Sequence, residues 1–175
     1  MKRFVILSDI NGEFLVEPPA LERTPALTAH FDKTDKLSSL ELAGIQNERD
    51  KDKRHQYLVA GGIDIAASKL VSAYASGITV AVGLSIGGVV LWRAIEKGLK
   101  VGSLLCFSST RLRFETKAAS CKTDLFFGEQ DDYRPEPSWY VKLGLQENLV
   151  KGQGHEFYRL PIALKIFHTH LQKLL

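Results

Sequence analysis

Apolar residues in this chain gather in short runs separated by Gly-, Pro- and charge-rich breaks. Phe4-Val5-Ile6-Leu7, Ile78 to Val82, Val101 to Phe107 and Thr123 to Phe127 are such runs, and Leu145 to Val150 is a shorter one. Continuous apolar runs of this length are expected of parallel strands covered on both faces. Between them the spacing changes to that of helices. Ile63, Ile65, Ala66, Leu70, Val71 and Tyr74 share a helical face, with Gly77 as its stop. Ile86 to Lys97 is a second helix, ended by Gly98. Glu156 to Leu175 is a final amphipathic helix that should bury Leu160, Ala163, Leu164, Phe167, Leu171 and Leu174. Strands alternating with helices predict an α/β fold of three layers: a doubly wound, mainly parallel sheet of five or six strands, in a single domain over residues 1–175.

The first half of the chain has a weaker pattern. Pro18-Pro19 argues against a helix core there. Ala26 to Phe31 is a strand candidate, followed by a polar turn at Asp32-Lys33-Thr34-Asp35. Ser38 to Asn47 is expected to be helical. The mixed-sign cluster from Glu48 to His55 is expected on a solvated loop or helix face. One edge strand is expected to be reduced or missing in this region.

In doubly wound sheets, chemistry collects outside the carboxyl ends of the strands. After Phe4–Leu7 comes Ser8-Asp9-Ile10-Asn11-Gly12. After Ile78–Val82 comes Gly83-Leu84-Ser85-Ile86-Gly87-Gly88. After Val101–Phe107 comes Ser108-Ser109-Thr110. After Thr123–Phe127 comes Gly128-Glu129-Gln130-Asp131-Asp132, and after Leu145–Val150 comes Lys151-Gly152-Gln153-Gly154-His155. A serine, acidic residues and a histidine therefore stand on one edge of one sheet, in that order. The Gly-x-Ser-x-Gly run lies between a strand and a helix, the setting of a nucleophile elbow. Its bland alternative is a Gly-rich turn of any α/β protein.

Composition narrows the partners. A net charge of +3 without a basic stripe gives no footprint for nucleic acid. The apolar stretch Ile78 to Trp92 is too short to span a membrane and is broken by Gly83, Gly87 and Gly88. Phe4 to Leu7 is too short for a signal-peptide core, so a cytoplasmic location is expected. Cys106 and Cys121 lack metal-ligand spacing and are expected as structural thiols. His168 and His170 sit two apart on a helix and diverge, so no metal site is expected there. Trp92 and Trp139 are expected to pack. No phosphate-binding loop is present, and no cofactor is expected.

Gly83-Leu84-Ser85-Ile86-Gly87, Phe126-Phe127-Gly128-Glu129-Gln130-Asp131 and Gly154-His155-Glu156-Phe157 together resemble the α/β-hydrolase superfamily, in the form of a small, lidless, dienelactone-hydrolase-like member. The resemblance runs from about Ile63 to the C-terminus, plus the first strand. It implies a minimal α/β-hydrolase fold and a serine hydrolase that cleaves a small ester or thioester through an acyl-enzyme. Ser85 would be the nucleophile, His155 its general base and Asp131 the acid that orients the imidazole. Asp132 is the alternative acid, and Glu129 is close. The oxyanion would rest on the backbone N–H of Ile86 and on one from the first loop. That loop matches the branch's Asp-Ile-x-Gly at Asp9-Ile10-Asn11-Gly12, which points to Ile10, with Asn11 as the alternative. With no insertion between Val101–Phe107 and Thr123–Phe127, the site should be open and shallow. The partner expected is a small acyl substrate. A non-catalytic ligand-binding or interaction protein on the same fold is the competing reading, and a flavodoxin-like anion-binding module is the third.

Overall fold

The computed structural model of the protein describes residues 1–14 and 30–174. Six strands form one sheet in which every neighbouring pair is parallel: β1 (Arg3–Leu7), β2 (Lys33–Leu37), β3 (Ile78–Leu84), β4 (Val101–Phe107), β5 (Lys122–Gly128) and β6 (Glu147–Val150), in the order β2-β1-β3-β4-β5-β6. The helices are α1 (Ser39–Ala43), α2 (Lys51–Tyr57), α3 (Ile63–Ala73), α4 (Ile86–Glu96), α5 (Pro137–Leu143) and α6 (Pro161–Leu174). The expected three-layer, doubly wound parallel sheet is present, at the upper strand number.

Each central strand divides its side chains between two cores. Val5, Leu7, Ala81, Leu104, Cys106, Leu125 and Phe127 face α1, α3, α4 and α5. Phe4, Ile6, Val80, Val82, Leu84, Leu105, Phe107 and Phe126 face the other way, against α6 and Phe157. Successive side chains of a strand point to opposite faces, so an unbroken apolar run is what a strand buried on both sides requires. Trp92 is fully buried and its ring centroid lies 6.2 Å from that of Trp139, so both tryptophans pack as expected. Cys106 is buried, and both cysteines are free thiols.

Three expectations need correction, and a fourth lies mostly outside the described residues. Asp32 to Asp35 is not a turn; Lys33–Leu37 is β2, paired in register with β1 from Arg3↔Lys33 to Leu7↔Leu37. Lys-Thr-Asp-Lys-Leu carries no apolar signal because an edge strand draws its stability from one ladder and tolerates charge. Arg3 Nε stands 3.8 Å from Asp35, and the Tyr74 hydroxyl donates to the same carboxylate. The strand candidate Ala26–Phe31 lies outside the described residues up to Ala29, as does Pro18-Pro19; Phe31 itself packs against Phe4 at a centroid distance of 5.5 Å. The helix expected to reach Asn47 stops at Ala43, where Gly44 turns left-handed (φ 81°). The last helix begins at Pro161 rather than Glu156. Leu160 is held extended by the proline that follows it and is exposed, while His155–Arg159 forms a separate 3₁₀ turn. Helix α5 over Pro137–Leu143 was not anticipated. Its four apolar residues in seven give too short a period to read, and its start is set by Pro137 in the first turn.

The charged cluster does fall on a solvated face: α2 is capped by Asp50, whose carboxylate accepts from the N–H of Asp52 (2.9 Å) and Lys53 (3.1 Å), and buries none of its side chains. No described helix is long and apolar enough to cross a membrane.

Candidate active site

Strand β3 ends in a sharp bend at Ser85. Its φ of 48° and ψ of −114° lie where only glycine is at ease, and the structure holds it there by the bond from Ser85 N–H to the Phe107 carbonyl (2.8 Å). The bend also needs close approach of backbone to backbone. A Cβ on Gly87 would stand 2.6 Å from the Ser8 carbonyl oxygen and 2.8 Å from that of Leu7, so α4 lies directly against the end of β1. The hydroxyl of Ser85 thus emerges half-buried at the N-terminus of α4.

Asp131 and His155 come from two loops that are stitched together. Glu129 N–H donates to Val150 O (3.1 Å), Gln130 N–H to Gln153 O (2.8 Å), and Gly152 N–H to the Glu129 carboxylate (2.8 Å). Gly128 permits this, because a side chain there would run into the carbonyls of Gln153 and Gly154. Across the join, Asp131 Oδ2 lies 2.7 Å from His155 Nδ1, and His155 Nε2 lies 3.3 Å from Ser85 Oγ. With Nδ1–H donated to the carboxylate, Nε2 carries the lone pair that faces the hydroxyl. Asp131 is 2% exposed and its other oxygen accepts the Tyr133 N–H (3.1 Å). Asp132 points into solvent, and Glu129 is used in the loop staple. Of the three candidate acids, Asp131 alone reaches the imidazole.

The first loop is shaped by Asp9, which is fully buried. Its Oδ1 accepts the N–H groups of Asn11 and Glu13, both at 2.8 Å. Its Oδ2 accepts the Tyr158 hydroxyl (3.0 Å) and Arg159 (2.9 Å), just beyond His155. The Asn11 N–H is therefore occupied. The Ile10 N–H has no acceptor among the described residues, and the Ile86 N–H belongs to the helix turn that lacks intrahelical acceptors. Ile10, Ile86, Ser85 and His155 line one cleft.

No family model matches the chain, and no curated protein matches it in sequence. Solved structures do match in shape. A protein from Thermoplasma acidophilum predicted to be a CIB-like hydrolase is 15% identical at a TM-score of 0.64, over 99% of this chain and 87% of its own. A protein from Xanthomonas campestris pv. campestris, assigned to hydrolases of the α/β superfamily, is 15% identical at 0.62, over 99% of both chains. A dienelactone hydrolase-like promiscuous phosphotriesterase from metagenomic libraries is 11% identical at 0.61, over 99% of this chain and 87% of its own. The chain has the α/β-hydrolase fold. At these identities the likeness is one of architecture, and the chemistry rests on the residues of this chain.

In this α/β-hydrolase fold the cleft has a volume of about 630 Å³, within the range of ordinary small-molecule pockets. Much of its lining comes from segments that the sequence pattern did not connect with the site. Lys51, Asp52 and His55 of α2 contribute to the lining, as do Thr110, Arg111, Arg113 and Tyr133. A further unanticipated residue is Ser108, buried at φ 50° at the end of β4, whose hydroxyl donates to the His155 carbonyl at 2.5 Å. Ser108 was visible only as the residue after a strand. Asp9 was visible only as the first letter of the loop motif, with no sign of its partners some 150 residues away. His168 and His170 stay on α6, where His170 Nδ1 is 3.0 Å from the Ile166 carbonyl. Among the described residues no three His, Cys, Asp or Glu side chains converge as a metal site requires.

Proposed function

We propose that the chain is a serine hydrolase that cleaves a small ester or thioester through an acyl-enzyme. The observation that carries this reading is the continuous relay Ser85–His155–Asp131, with a strained serine at one end and a buried carboxylate at the other. The neighbours described as hydrolases, an esterase among them, support it.

Ser85 Oγ attacks the acyl carbon while its proton passes to His155 Nε2. The carbonyl oxygen becomes an oxyanion and takes hydrogen bonds from the N–H groups of Ile86 and Ile10, where each such donor is worth about 3 kcal/mol. Asp131 stabilises the imidazolium. His155 then gives the proton to the departing alkoxide or thiolate, and the carbon–oxygen or carbon–sulfur bond breaks. Water enters, loses a proton to the same nitrogen and releases the acid, restoring the serine hydroxyl. The 3.3 Å between Oγ and Nε2 is long for a hydrogen bond, as is common before substrate binds. Free Cys106 and Cys121 fit work in a reducing compartment such as the cytoplasm.

The test is labelling with a fluorescent fluorophosphonate between pH 6 and 9. Wild-type protein should label and Ser85→Ala should not. Folded wild-type protein that stays unlabelled would favour a non-catalytic binding role for the fold.

A further inference from the structure

The cleft beside Ser85 carries more basic charge than the proposed chemistry uses. Arg111 and Arg113 lie on the 3₁₀ turn Thr110–Phe114 that follows β4. Their guanidinium carbons stand 5.0 Å and 4.3 Å from the centroid of the same Phe114 ring, so both charges share one patch. Arg113 is held in place: one nitrogen donates to the carbonyls of Thr110 (3.0 Å) and Tyr133 (3.2 Å), which leaves its other donors uncommitted. Arg111 makes no hydrogen bond or ion pair among the described residues. Burial first and the neighbouring Arg113 second push its pKa down, against a smaller upward pull from Glu115. Among the described residues no carboxylate stands in ion-pair reach of either guanidinium, so both keep donors that an anion could take.

The acids nearby do not supply that anion. Glu156 is largely exposed and faces Arg159 at 3.6 Å. Glu115 pairs with Arg93 at 3.0 Å and acts on Arg111 only through space, without an ion pair. Asp52 lines the same cleft and makes no ion pair with either arginine among the described residues. Thr110 and Tyr133, whose carbonyls hold Arg113, line the cleft with the arginines, and Ile10, Ile86 and Val89 supply apolar lining. Arginine presents a planar fork of donors that suits two-oxygen recognition of a carboxylate or phosphate.

We propose that Arg111 and Arg113 form an anion subsite beside Ser85, so that the acyl substrate carries a carboxylate or phosphate group on the side away from the scissile bond. The assignment of the substrate to this cleft rests on the hydrolase reading above. The subsite itself rests on the arginine pair.

Three 4-nitrophenyl esters of similar acyl length test it: the valerate, the mono-ester of glutarate, and the ester of 3-phosphonopropanoate. One anionic ester should exceed the valerate at least tenfold in kcat/KM, and which one does so identifies the anion. Arg111→Gln combined with Arg113→Gln should bring that ratio to within about twofold of unity. Lys173→Gln, which matches the charge loss of Arg111→Gln alone and lies at the far end of α6, should leave it unchanged. Arg111→Gln alone removes no hydrogen bond within the described structure, and it keeps the test open should the double variant fail to fold. No anionic preference, or a preference that survives both variants, overturns the proposal. Should no ester be hydrolysed, the hydrolase reading fails separately, and calorimetry with glutarate and 3-phosphonopropanoate decides the subsite. Binding that is lost on Arg111→Gln sustains it, and absence of binding overturns it.

Discussion

Replacing Asp9 by asparagine isolates the contact that ties the first loop to the histidine loop. The amide oxygen must take the Oδ1 position, because two backbone N–H groups point there. The NH₂ group then replaces Oδ2 and meets Tyr158 and Arg159. The tyrosine hydroxyl can rotate and accept. Arginine has no acceptor, so its bond is lost. A hydrogen bond to a charged group is worth about 1.5–3 kcal/mol. Asp9 is fully buried, which argues for the upper end, but Arg159 is 29% exposed and keeps Glu13 at 3.0 Å. About 2 kcal/mol of lost stability is the expected result. Asp9→Ala goes further, since it strands two N–H groups and a buried hydroxyl. Water reaches Asn11 and Glu13, so the sum is held to about 3–4 kcal/mol. Urea unfolding of the three proteins measures both differences, with unchanged m-values as the check on comparability. Hydrolysis of 4-nitrophenyl acetate should fall about tenfold or more in Asp9→Asn, because the Ile10 N–H is aimed by this loop. An Asp9→Asn protein within about 0.5 kcal/mol of wild type would refute the reasoning, since ordinary surface substitutions reach that much.

Two further substitutions test the site and the bend. Asp131→Asn should lower kcat by about 10⁴, as loss of the orienting carboxylate does elsewhere, whereas Asp132→Asn, at an exposed position, should change it less than about twofold; steady-state kinetics with 4-nitrophenyl acetate separates the two. Gly87→Ala should lose about 1–3 kcal/mol, because the atoms its Cβ would meet are backbone carbonyls of Ser8 and Leu7 that have nowhere to move. At this chain size that is a fall in Tm of roughly 2–4 °C per kcal/mol, read by calorimetry.

The parts of the fold that were legible in the sequence are those in which local pattern and burial agree. β1, β3, β4 and β5 are apolar because helices cover both of their faces, and the helix start at Ile86 follows from the elbow glycines. Ser85 and His155 were legible because each stands just past a strand, where parallel topology forces convergence, whereas the same position left Glu129, Asp131 and Asp132 all open as the acid. β2 was not, because an edge strand needs no apolar face. The cleft walls were not, because Lys51, His55, Arg111 and Arg113 lie on short turns and on a helix with no buried side chain. The Asp9 cluster was not, because its partners are set by tertiary contact alone.

That cluster also fixes the order in which activity can appear. Tyr158 and Arg159 are 149 and 150 residues from Asp9. The strained serine bend can form once β1, β3 and β4 have paired, but its histidine and the tether of its first loop arrive only with the segment past β6. During synthesis from the N-terminus, the sheet's centre is therefore laid down well before its reactive edge is complete. Closing contacts of such separation is slow in folding, since the loop-closure entropy must be met before the contacts form. A growing or clipped chain that ends short of Arg159 would carry the serine in an unfastened cleft, so competence of the site reports that the whole span has folded.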